Sequence, residues 1–230
     1  MKIAIMGAMP EEISPILEKL DSYKTTQYAG NKYYEASYKG VDLVIAYSKI
    51  GKVFSTLTAT TMIEHFGADR LLFSGVAGAV SPTLKVGDLI VATKLAQHDL
   101  DITAFGHPYG YVPEGAVFIE ADTQMIEMSK EVALEMGKNV QEGIIATGDQ
   151  FVANEERKNW IGKTFSADAL EMEGGSVAVV CNALEIPFFI LRAISDAADM
   201  DASFSFDEFL QTSAQESAEF VMKMVDKLVD

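Results

Sequence analysis

The 230-residue chain has one cysteine, three histidines and only 18 lysines and arginines, set against 34 aspartates and glutamates. A solitary Cys181 excludes an intrachain disulfide, and its apolar setting reads as a buried structural thiol suited to a reducing cytoplasm. So few His and Cys make no recognisable zinc spacing, so His98-Asp99-Leu100-Asp101 reads as loop structure and not as a metal centre. The net charge of −16 repels a phosphate backbone and no basic stripe overrides it, which argues against nucleic acid as a partner. No apolar run is long enough to cross a bilayer, and Met1–Gly7 reaches Glu11 and Glu12 too soon for a signal peptide, so neither membrane nor export is expected. Gly-x-Ser-x-Gly, the Rossmann glycine spacing and the Walker lysine are all missing, which leaves acyl transfer and the common nucleotide motifs unsupported.

What is present suits one folded unit, residues 1–230: 49% hydrophobic and 23% charged residues, with no low-complexity break. Short apolar runs at Lys2–Met6, Val41–Ser48, Arg70–Phe73, Asp88–Thr93, Gly143–Thr147, Ala167–Leu170 and Pro187–Ile194 read as strands. Helical patterns alternate with them at Lys52–His65, Thr123–Met136 and Gly174–Leu184. The expected fold is therefore α/β, a three-layer αβα arrangement with a central mixed, twisted sheet flanked by helices. Pro10 suits the first position of a helix carrying Ile13, Ile16, Leu17 and Leu20. Ser205-Phe206-Asp207-Glu208 has the spacing of a capping box that opens the last helix. The stretch from Ala96 to Glu114 is a long irregular loop of the kind found at sites and interfaces.

Ligands in open α/β sheets bind beyond the carboxyl ends of strands, and there the chain is polar. Glu12 falls in a first helical turn, where the helix favours an ionised carboxylate able to accept a proton; it reads either as a general base or as a plain first-turn Glu. Asp196 ends an apolar strand, where burial favours the protonated form required of a general acid, the alternative being a turn or cap Asp. Glu171 and Glu173, two apart, are expected on one face of an extended segment, where one holds ribose hydroxyls or, alternatively, one pairs with Arg192. Phe151 and Phe206 either sandwich a planar base or belong to the core. Gly75-Val76-Ala77-Gly78 admits a ligand close to the main chain.

Taken in order, Ile5–Glu12, Ser48–Val53, Ser74–Gly78, Gly148–Phe151, Glu171–Glu173 and Arg192–Asp196 resemble 5′-methylthioadenosine/S-adenosylhomocysteine nucleosidase. The resemblance runs from residue 2 to Phe206–Leu210. It implies a phosphorylase/hydrolase-like α/β fold, a homodimer, and cofactor-free hydrolysis of adenine nucleosides with 5′ substituents. On position, it implies Glu12 as the water-activating base, Asp196 as the acid at purine N7 with Ser195 orienting it, and Glu173, beside Met172, on the ribose hydroxyls. Phe151 corresponds to the residue stacked on adenine and the Val152 main chain to the group reading its edge. Met9, Ile50, Ala77, Gly78 and Phe206 correspond to pocket positions, and Phe105 and Pro113 to residues lent by the second subunit.

Pro10, Lys49 and Val76 depart from the pattern of many relatives; Val76 bears on ribose-side contacts. Together with the local pattern, Lys49 and Val76 are similar to the branch that also cleaves 6-amino-6-deoxyfutalosine. Two rivals remain. One is a purine nucleoside phosphorylase of the same fold, against which Glu11 and Glu12 stand where a phosphate-binding cation is needed. The other is a non-catalytic adenine-nucleoside binding protein, which has no need of an acid facing a base.

Overall fold

The structure, a computed structural model, describes residues 1–198 and 202–229, with the side chains of residues 202–208 outside that description. Ten strands form one mixed sheet: β1 (Lys2–Gly7), β2 (Lys24–Tyr28), β3 (Asn31–Tyr38), β4 (Val41–Tyr47), β5 (Arg70–Ala79), β6 (Leu89–Gln97), β7 (Ile119–Glu120), β8 (Val140–Thr147), β9 (Ala169–Glu171) and β10 (Phe188–Asp196). Six α-helices are described: α1 (Pro10–Leu17), α2 (Lys52–Thr60), α3 (Thr123–Glu135), α4 (Glu155–Phe165), α5 (Gly174–Ala183) and α6 (Ala202–Val229). Helices α1 and α3 pack with α6, while α2 packs on α5, so the expected layered α/β architecture is present. No helix among the described residues is long and apolar enough to cross a membrane.

Strand β1 shows why the centre forms. Its Ile3, Ala4, Ile5 and Met6 are wholly buried and lie between β4 and β5, both parallel to it, so apolar side chains are required on both faces. The sheet also curls on itself. Strand β10 pairs with both β5 and β6, β8 joins β6 to β9, and β9 returns antiparallel to β5, closing five strands into a barrel-like ring. Their carboxyl ends supply much of the candidate site.

Several expectations need correction. The strand predicted to end at Phe73 runs on through Ser74–Gly78, which lie within β5. Ser195 and Asp196 likewise still belong to β10. Helix α1, interrupted by Pro15, stops at Leu17, leaving Leu20 in the turn that follows. Helix α6 begins at Ala202, so Ser205 is inside it and not the cap predicted for it. The β2–β3 hairpin and α4 have no counterpart among the predicted elements.

Candidate functional site

A cavity opens where the ends of β1, β5, β9 and β10 meet the segment after β8. Glu12 enters from α1, and Met9 and Ala8 from the turn before it. Val76, Ala77 and Gly78 form one wall from β5. Gln150, Phe151 and Val152 form another, Met172 and Glu173 a third, and Ser195 and Asp196 close it from β10.

Glu12 is buried, and its Oε2 accepts the main-chain N–H groups of Ala8 at 2.5 Å and Met9 at 3.0 Å. Burial raises its carboxyl above the usual range; the positive charge of Arg192 and the N–H groups of Met9, Ala8 and Val76 oppose that rise. The helix start therefore stabilises the ionised form as expected from sequence, but desolvation outweighs it. A carboxylate made more basic in this way is better matched to taking a proton near neutral pH.

Asp196 reaches the cavity through an irregularity. Ile194 pairs with Ala77 and Asp196 with Gly78, so Ser195 is an extra residue on β10, a bulge of the kind that re-aims a side chain. The Ser195 hydroxyl donates to Asp196 Oδ2 at 2.8 Å, and the Ala198 N–H donates to Oδ1 at 2.8 Å. Strand β5 permits both carboxylates to approach. A Cβ on Gly75 would lie 2.9 Å from Glu12 Oε1, and one on Gly78 would lie 2.8 Å from Asp196 Oδ1. Both acids line the cavity, Glu12 from α1 and Asp196 from β10.

Glu173 precedes α5 and accepts the Gly51 N–H on Oε1 at 2.8 Å. Gly51 has a φ of 100°, and a Cβ there would lie 2.9 Å from Asp149 Oδ1, so this approach depends on glycine. Burial and the adjacent Glu171 push Glu173 up to about 8, with Arg192 and the Gly51 N–H opposing. Glu171, not Glu173, is the partner of Arg192, at 2.7 Å. The chain leaves the extended conformation after Glu171, so the two carboxylates do not share a strand face as their spacing implied.

Eleven predicted site residues line the cavity: Met9, Glu12, Ile50, Ala77, Gly78, Phe151, Val152, Met172, Glu173, Ser195 and Asp196. Phe105 and Pro113 do not; both are exposed on the irregular segment, Phe105 at 81%. The expectation for the Phe206 side chain lies outside the described residues. Ala8, Gln150 and Leu170 line the cavity without having been singled out. Of the departures, Pro10 starts α1, Lys49 lies over the Phe54 ring at 4.8 Å, and Val76 offers its main-chain N–H to Glu12. Cys181 is buried, its thiol pushed up to about 12, as the structural reading required. Among the described residues no group of three or more His, Cys, Asp or Glu is placed to hold a metal ion.

A curled mixed α/β sheet with a carboxylate-lined cavity at its strand ends defines the class: the chain belongs to the Phosphorylase superfamily, which it matches over residues 2–228. Within that class it is 58% identical over 228 residues to the aminodeoxyfutalosine nucleosidase of Campylobacter jejuni, covering 99% of this chain and 100% of that one. The solved structure of the 5′-methylthioadenosine/S-adenosylhomocysteine nucleosidase of the same organism superposes with a TM-score of 0.95 at 58% identity, covering 99% of each chain. The corresponding Helicobacter pylori nucleosidase, solved with butyl-thio-DADMe-Immucillin-A, gives a TM-score of 0.96 at 50% identity over 98% of each chain.

Proposed function

We propose that this protein hydrolyses the N-glycosidic bond of 5′-substituted adenine nucleosides, releasing adenine and the substituted ribose. The observation that carries the reading is the pair of buried carboxylates, Glu12 and Asp196, reaching one cavity across Gly75 and Gly78 of the same strand. Asp196 gives a proton to N7 as the bond from C1′ to N9 breaks and its electron pair passes to the purine. The sugar becomes oxocarbenium-like, water adds at C1′, and Glu12 takes the proton that water loses. Ser195 orients Asp196, Glu173 holds the ribose hydroxyls beside Met172, and Phe151 stacks on adenine while the Val152 main chain reads its edge. Met9, Ile50, Ala77, Gly78 and Phe206 shape the remainder of the pocket, and no cofactor enters any step.

Among the described residues, those lining the cavity include no Lys or Arg, and a phosphorylase must hold a phosphate dianion beside C1′. The names of the relatives favour 6-amino-6-deoxyfutalosine, with 5′-methylthioadenosine and S-adenosylhomocysteine as further substrates; the sequence resemblance adds 5′-deoxyadenosine. We place the protein in the cytoplasm as a single-domain homodimer, with Phe105 and Pro113 lent to the neighbouring site; exposed Val53, Phe54 and Leu57 on α2 offer an apolar face for pairing. The test is incubation with each nucleoside in the presence and absence of inorganic phosphate. Adenine and free substituted ribose at equal rates in both are expected. Phosphate-dependent formation of a ribose 1-phosphate would replace this reading with the phosphorylase, and binding without cleavage would replace it with the binder.

A further inference from the structure

Glu171 and Glu173 are two residues apart and are engaged differently. The Glu171 carboxylate is buried at the end of β9 and receives four donors. One oxygen accepts from the Thr147 hydroxyl, and the other accepts from the N–H groups of Glu173 at 3.1 Å and Gly174 at 2.7 Å and from Arg192 Nη2 at 2.7 Å. A carboxylate has about four acceptor positions, two on each oxygen, so the oxygen holding three donors is saturated and most of the Glu171 capacity is spent inside the protein although it borders the cavity.

Each of those bonds fixes a different part of the site. Thr147 ends β8 and accepts the Gly175 N–H at 2.6 Å, which joins the adenine-side segment to α5. The bonds to Glu173 and Gly174 set the first turn of α5, from which the Glu173 side chain reaches the Gly51 N–H. The bond to Arg192 holds a guanidinium that lies over the Phe73 ring at 4.0 Å, while its Nη1 sits 3.1 Å from where a Cβ on Gly75 would be, beside Glu12.

We infer that Glu171 is a positioning residue for the hydrolysis: through its bonds inside the protein, its carboxylate aims Glu173 at the ribose and fixes Arg192 in the neighbourhood of Glu12. The inference rests on the hydrolase reading above. Glu173 is faced by Glu171 from β9, Arg192 from β10, Glu12 from α1 and the Gly51 N–H ahead of α2. Arg192 favours the ionised form of Glu173, whereas the adjacent Glu171 charge opposes it. Removing the Glu171 charge takes that repulsion away, and Glu173 then ionises at lower pH.

The experiment compares wild type with Glu171→Gln, reading thermal melting and the pH dependence of kcat/KM. Expected are a kcat/KM about 10- to 100-fold lower, as for a reacting group displaced by up to an ångström, and an acid limb moved to lower pH. A purely structural residue would lower the melting temperature and leave that limb in place, and this result overturns the inference. So does a kcat/KM within about twofold of wild type. If Glu171→Gln does not fold, Thr147→Val decides: it loosens the same carboxylate without changing its charge. A reduced kcat/KM with an unmoved acid limb is then expected, and unchanged kinetics overturn the inference. An inactive wild type removes both readings, whereas an active wild type with unresponsive variants removes only this one.

Discussion

Glu12 and Arg192 both border Gly75: a Cβ at that position would sit 2.9 Å from Glu12 Oε1 and 3.1 Å from Arg192 Nη1. Both side chains are buried, and Glu12 is tethered by the Ala8 and Met9 N–H groups, so neither can swing clear without losing bonds. Gly75→Ala should therefore displace the base while adding a single methyl group. The expected result is a folded protein with turnover lowered by roughly 10²-fold. Wild-type turnover together with an unmoved Glu12 in a crystal structure of the variant would show that the strand has room to spare.

The second prediction concerns the proposed acid and base themselves. Glu12→Gln and Asp196→Asn keep shape and most hydrogen bonds, so each should fold, and each should lose on the order of 10²–10⁴-fold in kcat. Adenine release from 5′-methylthioadenosine, followed by absorbance, measures both. Normal release by either folded variant would remove that residue from its assigned role.

The strongly periodic elements were legible in the sequence, and the closely packed ones were not. Apolar runs located β1, β4 and β10 because burial on both faces demands them. The predicted strand stops at Phe73 because the glycines that follow are poor strand formers. Those glycines are in β5 because side chains from α1 and β10 need the space, a relationship between segments far apart in the chain. The β2–β3 hairpin escaped notice because Lys24–Tyr28 is mostly exposed and carries no apolar alternation. Helix α4 buries only Ile161 and Phe165, although Asn154, which accepts the Arg157 N–H, and the acidic pair after it form a start signal visible in the sequence. Glu171 and Glu173 were indistinguishable by spacing alone; the break in the chain after Glu171 gives one of them to Arg192 and the other to the cavity.

Glu173 also makes stability depend on pH. Its carboxyl is raised from 4.5 to about 8, so between those values the folded protein keeps a proton that the unfolded chain has released. Stability from this group is fully present below pH 4.5 and is lost as pH rises through about 8. Glu12 is raised as well and acts in the same direction. Melting temperature should therefore fall as pH rises across this window, and Glu173→Gln, which cannot ionise, should fall less steeply. Parallel slopes for the two proteins would mean that Glu173 is ionised throughout.

The proposed homodimer makes the most demanding prediction, because it would assign one cavity to two chains. Phe105 is 81% exposed and Val53 75% exposed, so changing either should barely affect the stability of an isolated chain. Val53→Glu should halve the sedimenting mass by placing charge in the pairing face, and activity should fall with it. Phe105→Ala should leave the mass unchanged and lower kcat/KM on nucleosides with apolar 5′ groups, since the partner's pocket loses its aromatic wall. Mixing then separates a shared site from a self-contained one. In a heterodimer of Phe105→Ala with Glu12→Gln, one cavity keeps its own Glu12 and receives an intact Phe105 from the other chain. Random exchange makes half of the dimers mixed, each with one working cavity of two, so about a quarter of wild-type activity should return. If the mixture is no more active than the sum of the separate variants, Phe105 does not act across the interface.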